Sequence, residues 1–276
     1  MIPVFANSAH VFTRERLVLR GGRLTKVALR VRFGLIRHPK HGPVLIDAGY
    51  GPRVTQGAGR SAALKLYAAL LKPRLDPLQS PLAVLAHYGF DPADVQTIIV
   101  THLHADHVTY LRDFPNARFI IAPEAVRFMA NHSHLGNVHH GIFTELLPDD
   151  FADRLIDPLG LPQVEAPFGL GQGADLFGDG SILTIPLPGH APGHLGVCFP
   201  HLDPPLLYAT DAQWMMQAIT QDRVPGFPAT PLVFHDRAAS QASITRIRAF
   251  IDQGGEVLLC HDPAPSRYDF TDQTDG

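Results

Sequence analysis

Four side chains able to bind a metal ion stand within six positions, at His102, His104, Asp106 and His107, in the run Thr101-His102-Leu103-His104-Ala105-Asp106-His107. Burying three imidazoles and a carboxylate is costly unless they are paired or hold a cation. Zinc and iron take imidazole nitrogen and carboxylate oxygen readily. The run therefore reads as half of a metal site, with the other half expected downstream. Asp47, His190, Asp211 and His261 repeat its position: each lies at or just beyond the end of an apolar run. Taken singly, each has a plainer reading. Asp47, ahead of Ala48-Gly49, is first read as a turn former. Taken together, they supply enough nitrogen and oxygen donors for two metal ions.

The elements that must position these residues follow from periodicity. Residues 95–100, rich in β-branched side chains, read as the buried strand that delivers His102. Residues 26–37 alternate, with Val27, Leu29, Val31, Phe33 and Leu35 on one face and Arg30 and Arg32 on the other. Strands are expected at 44–46, 118–122, 181–187, 195–199, 206–210 and 256–260. Helices are expected at 60–72, from Ser80-Pro81 to Gly89, from Pro123-Glu124 to Asn131, and over 237–251. Residues 131–180 show no period and read as an irregular insertion, a lid or an oligomer contact. Their histidines, His132, His134, His139 and His140, could make a further metal site, but a polar loop is the favoured reading. The tail beyond His261 reads as frayed or draped on the surface.

The 276 residues, 45% hydrophobic, suffice for a real core. A net charge of -3 gives no reason to expect nucleic acid. The early basic residues (Arg14, Arg16, Arg20, Arg23, Lys26, Arg30, Arg32, Arg37, Lys40) read as the solvated face of a hairpin. Cys198 and Cys260 sit in apolar runs and read as buried thiols. With no signal-like N-terminus and no membrane-length apolar run, a cytoplasmic protein with no membrane partner is expected. Phosphate-loop, serine-elbow and Cys-x-x-Cys motifs are absent.

His102-x-His104-x-Asp106-His107, then Gly189-His190, Asp211 and His261, with Asp47 upstream, resembles the metallo-β-lactamase fold superfamily of metal hydrolases. The resemblance spans about residues 27–261. It implies a layered α/β (α+β) fold, an αββα sandwich, over a single domain 1–276. It implies two divalent ions, Zn2+ first, with Fe or Mn as alternatives. His102, His104 and His190 would hold one, and Asp106, His107 and His261 the other. Asp211 would bridge them, Asp47 would orient a ligand imidazole, and His194 would stand behind the ligands. Asp47 is on this view no mere turn former. A metal pair would activate water for attack on a carbonyl, with Asp106 and Asp211 as the catalytic carboxylates.

Within the superfamily, Pro188-Gly189-His190-Ala191-Pro192-Gly193-His194 looks most like the N-acyl homoserine lactonases. The resemblance implies a small-molecule lactone or carboxylic ester as substrate, and has room for a homodimer. Two departures are visible. Val108-Thr109-Tyr110 replaces the usual Gly-Gly pair after His107, and Trp214 stands where many relatives have a tyrosine. Trp214 and Tyr110 are the candidate pocket residues. The alternatives are thioester hydrolysis of the hydroxyacylglutathione hydrolase kind and a metal-containing binder without turnover.

Overall fold

Alternating apolar residues build the first of two sheets. In the computed structural model, which describes residues 1–223 and 234–271, β1 (Val4–Arg14) and β2 (Lys26–His38) pair antiparallel, and β3 (Gly42–Ile46) continues against β2. β4 (Arg74–Leu75), β5 (Thr97–Ile99), β6 (Arg118–Ile120) and β7 (Leu155–Ile156) complete it in the order β4-β1-β2-β3-β5-β6-β7. The second sheet contains β8 (Gln163–Ala166), β9 (Gly171–Asp175), β10 (Leu183–Pro186), β11 (Leu195–Phe199), β12 (Leu206–Thr210) and β13 (Glu256–Leu259), in the order β13-β12-β11-β10-β9-β8.

The sheets pack face to face. Phe5 of the first lies 4.5 Å, ring to ring, from Tyr208 of the second. Val31, Phe33, Val197 and Phe199 are buried in the same core. The α-helices among the described residues are α1 (Glu15–Val18), α2 (Pro52–Thr55), α3 (Ala62–Leu71), α4 (Pro81–His87), α5 (Ala105–Val108), α6 (Pro123–Asn131), α7 (His134–His139), α8 (Met216–Thr220) and α9 (Arg237–Asp252). Leu64 of α3 and Val84 and Leu85 of α4 join the core on the first sheet's side. On the second sheet, Ile247 and Phe250 of α9 cover Cys198, Leu207 and Ala209. Full burial of each such side chain contributes about 1.5–3 kcal/mol. The result is a helix–sheet–sheet–helix sandwich, as expected.

Two expectations need correction. The segment 131–180 is not irregular: it holds α7, β7, β8 and β9, and β9 joins the second sheet directly to β10. Arg32 is not on a solvated face. It is 0% exposed, with Nε 2.7 Å from Asp269 Oδ1 and Nη1 2.7 Å from the Asp262 carbonyl. Of the two readings of the tail, draped rather than frayed holds up to residue 271: Phe5 N donates to the Tyr268 carbonyl and Phe270 N to the Phe5 carbonyl. That expectation also covered residues 272–276, which lie outside the described residues. Both cysteines are buried free thiols. Among the described residues no helix is long and apolar enough to cross a membrane.

Candidate metal centre

Parallel strand pairs bring the metal-binding side chains to one rim. Ile46 of β3 lies beside Ile99 of β5, so Asp47 and His102 leave the first sheet together. Thr210 of β12 lies beside Leu259 of β13, so Asp211 and His261 leave the second sheet together. The single turn of α5 carries Asp106 and His107, and the β10–β11 loop carries His190. That loop needs its glycine. Gly189 has φ 131°, and a Cβ there would lie 2.2 Å from the Ser240 backbone nitrogen in α9.

Two donor sets result. In the first, His102 Nε2 lies 3.0 Å and His190 Nε2 3.1 Å from His104 Nδ1. In the second, His261 Nε2 lies 3.4 Å and His107 Nε2 3.7 Å from Asp106 Oδ2. Asp211 Oδ2 lies between the sets: 2.9 Å from His261 Nε2, 3.6 Å from His107 Nε2, 3.5 Å from His190 Nε2 and 4.0 Å from His102 Nε2. Asp211 is thus in reach of both.

Nitrogens and oxygens this close suit a bound cation. His107 Nε2 and Asp211 Oδ1 are buried without a hydrogen-bond partner, which is rare in a folded protein unless something else satisfies them. The outer hydrogen bonds assign the tautomers. His107 Nδ1 lies 2.7 Å from Asp47 Oδ2, and His261 Nδ1 lies 2.6 Å from the Arg30 carbonyl. His102 Nδ1 lies 3.1 Å from the Thr101 hydroxyl, which itself donates to Asp47. Each ring thus spends Nδ1–H outward and turns the Nε2 lone pair inward, the arrangement by which an outer acceptor orients a metal-binding imidazole. Three histidines converge in one set and a histidine pair with two carboxylates in the other. That donor chemistry suits zinc-like ions.

Two residues beside the centre hold strained backbone. Asp47 has φ 60° and Thr210, β-branched, has φ 49°. Such conformations cost about 1–3 kcal/mol each. At Asp47 the Thr101 amide and hydroxyl and the His107 ring offset this with three bonds. At Thr210 the hydroxyl meets His194 Nε2, and His194 Nδ1 lies 2.7 Å from the Leu187 carbonyl. Both His194 nitrogens are thereby engaged behind the ligands.

Without metal, the two sets carry different charge. Burial pushes the His102 ring down, aided by His107, His104 and His190. Burial also takes His104 down to about 4. Burial would lower His107 too, but Asp47, Asp106 and Asp211 outweigh it and raise the ring well above its ordinary value. At His261 burial is likewise outweighed, chiefly by Asp211. Burial opposes ionisation of Asp211, yet His261 and His107 hold its carboxyl well below the usual range. His107 and His261 therefore keep their protons at neutral pH, and an incoming cation must displace them. Affinity for metal should rise with pH until those raised values are passed. Calorimetry at pH 7 in two buffers of different ionisation heat should show roughly two protons released as both sets fill. Metal uptake with no proton release would contradict this charge assignment.

A family model described as the metallo-beta-lactamase superfamily matches residues 28–250. The chain belongs to the metallo-β-lactamase superfamily. Among its superfamily relatives, an N-acyl homoserine lactonase AttM of Azorhizobium caulinodans is 29% identical over 256 residues, covering 87% of each chain. The Agrobacterium fabrum protein of that name is 30% identical over 242 residues, 84% of this chain and 82% of the relative. A B. thuringiensis AiiA mutant with N-decanoyl-L-homoserine at its active site superposes with a TM-score of 0.69 at 17% identity, covering 95% of this chain and 94% of that one. AidC, a dizinc quorum-quenching lactonase bound to its product, superposes with a TM-score of 0.64 at 17% identity, over 95% and 88% of the two chains.

All seven residues expected to bind metal in this superfamily member lie together, with Asp47 and His194 directly behind them. Trp214 stands at the rim: its ring is 5.9 Å from that of His261, nearly perpendicular, and its buried Nε1 has no hydrogen-bond partner. Tyr110 points elsewhere. Its ring packs where a Cβ on Gly51 would fall, and its hydroxyl is engaged with Ser80. Two tyrosines near the centre escaped the sequence reading. The Tyr50 hydroxyl is buried and is paired with that of Tyr67. Burial, reinforced by Asp106, pushes the Tyr50 hydroxyl far up, so it remains a proton-bearing donor. The signal was faint: Tyr50 follows Asp47-Ala48-Gly49 by a single step.

Proposed function

We propose that this chain is a dinuclear metal hydrolase acting on lactone rings or related carboxylic esters, with N-acyl homoserine lactones the first candidates. The observation that carries the reading is Asp211 Oδ2, set between two donor groups within 4.0 Å of four imidazole nitrogens. The AttM relatives support the substrate class. On this reading His102, His104 and His190 hold one ion, Asp106, His107 and His261 the other, and Asp211 joins them. Zinc as the metal, a cytoplasmic location and a homodimer belong to the same proposal.

When bound, such a pair supplies Lewis acidity and water of lowered pKa. The chain's own residues do the rest. Asp106 would orient the attacking water, take the proton it loses and pass that proton to the leaving alkoxide. Asp47 and the Arg30 carbonyl hold His107 and His261 in the required tautomers. Trp214 replaces a phenol with an indole, which donates a hydrogen bond but neither accepts nor transfers a proton. It therefore steadies a substrate oxygen and leaves proton transfer to Asp106.

Zinc-loaded protein should be assayed against N-acyl homoserine lactones, aryl esters and thioesters. Lactone turnover above the other two is expected. Preference for thioesters would move the assignment to the glutathione-thioester hydrolases, and tight lactone binding without turnover to a binder. Trp214→Phe should lower lactone kcat/KM about 3- to 10-fold, the loss of one neutral hydrogen bond, at unchanged metal content. Loss of metal in that variant would make the indole a support for His261 instead.

A further inference from the structure

A second group of imidazoles lies outside the metal centre, at the ends of three helices. The ring of Phe128 in α6 is stacked on His132 at 3.9 Å and met edge-on by His140 at 4.8 Å and His235 at 5.3 Å. His140 lies 5.8 Å from His132, 5.7 Å from His235 and 5.2 Å from His139, ring centre to ring centre, all steeply inclined. His132 follows α6, His139 and His140 close α7, and His235 precedes the Asp236 cap of α9. None of these residues has a part in the proposed hydrolysis.

We propose that His132, His140 and His235 form a separate, weaker binding site for a zinc-like divalent ion. A tetrahedral ion bound at about 2.0–2.1 Å from each nitrogen sets imidazole centres roughly 5–6 Å apart. The spacings of His132 and His235 from His140 fall in that interval. His132 is already oriented to bind: its Nδ1 lies 2.8 Å from the Phe128 carbonyl, which leaves Nε2 as the lone pair. His140 is held neutral, pushed down by burial and then by His139, His235 and His132. The nitrogens are less tightly drawn together than in the two sets at the centre. His235 is exposed, so its ring can turn toward His132 and His140 to complete the site. Arg127, next to Phe128 in α6, is paired with Glu124 at 3.3 Å.

The site has a mechanical link to the metal centre. His235 N donates to the His190 carbonyl and Asp236 N to the Gly189 carbonyl. An ion held by His235 would restrain the loop that presents His190.

The test is zinc titration of untagged protein whose tight sites are already filled, followed by calorimetry. One further equivalent with micromolar affinity is expected. His140→Ala should weaken it at least tenfold, and the double variant His132→Ala/His235→Ala should abolish it, while the tightly held metal content of both variants stays that of the parent. Absence of a further equivalent, or one of unchanged affinity in both variants, overturns the proposal. Because the readout is the increment above the tightly held metal, it stands or falls separately from the dinuclear reading.

Discussion

Asp211→Asn should yield a folded chain that retains at most one tightly bound metal ion and hydrolyses its substrate at least a thousandfold more slowly. Asparagine preserves the volume of a side chain that is 2% exposed, so circular dichroism should be little changed. What disappears is the negative charge between the donor sets. Asp211 Oδ2 lies 2.9 Å from His261 and 3.5–3.6 Å from His190 and His107. A neutral amide oxygen there binds one cation weakly and two hardly at all. A thousandfold corresponds to about 4 kcal/mol of barrier. Elemental analysis paired with an initial-rate assay decides the matter. Two ions per chain with parental turnover would remove Asp211 from the bridging role.

Arg32→Met should cost about 3–5 kcal/mol of stability, the usual penalty when one partner of a buried ion pair is removed. The guanidinium grips the Asp269 carboxylate through Nε at 2.7 Å and Nη2 at 3.1 Å. It also holds three carbonyls, of Leu259 at 3.1 Å, Asp262 at 2.7 Å and Ala264 at 2.6 Å. Those carbonyls flank His261 on both sides. Methionine fills the space but donates to none of these acceptors, leaving Asp269 only the Ser266 amide and Arg30. Urea unfolding should therefore show the loss in the midpoint, and one metal should dissociate more readily than in the parent as His261 loses its frame. Stability within about 1 kcal/mol of the parent would mean that water replaces the guanidinium. The same neighbourhood fixes the ligand from the other strand, because the Arg30 carbonyl accepts from His261 Nδ1.

Arg32 also marks the limit of what the sequence could convey. In an alternating strand it sits among polar positions, and periodicity alone assigns it to solvent. Its partner is Asp269, 237 residues away, and no local pattern announces such a pair. Which of the two readings of the tail holds was hidden for the same reason: its anchors are Arg32 on β2 and the Phe5 backbone on β1. Strand β9 was invisible because Gly171 and Gly173 interrupt any alternation, and β8, four residues long, is too short to show a period, so their pairing reflects the sheet they join. The centre, by contrast, was legible. Its ligands occur in one dense run and at strand ends, where only a common rim could reconcile so many imidazoles and carboxylates. Backbone strain at Asp47 and Thr210 was beyond reach, since φ depends on what the fold demands of the turn.

The two donor sets have one more property. His102, His104, Asp106 and His107 follow strand β5 of the first sheet, whereas His190, Asp211 and His261 belong to the second. Each set draws on both. Ions held there would tie the two halves of the sandwich together, as a rivet joins two plates. By mass action, an ion at a hundred times its Kd adds about 2.7 kcal/mol to the folded state. The persistence of the chain would then follow the free metal concentration around it. Under metal scarcity the molecules that cannot catalyse would also be those that open first, so the working population would be kept free of idle copies.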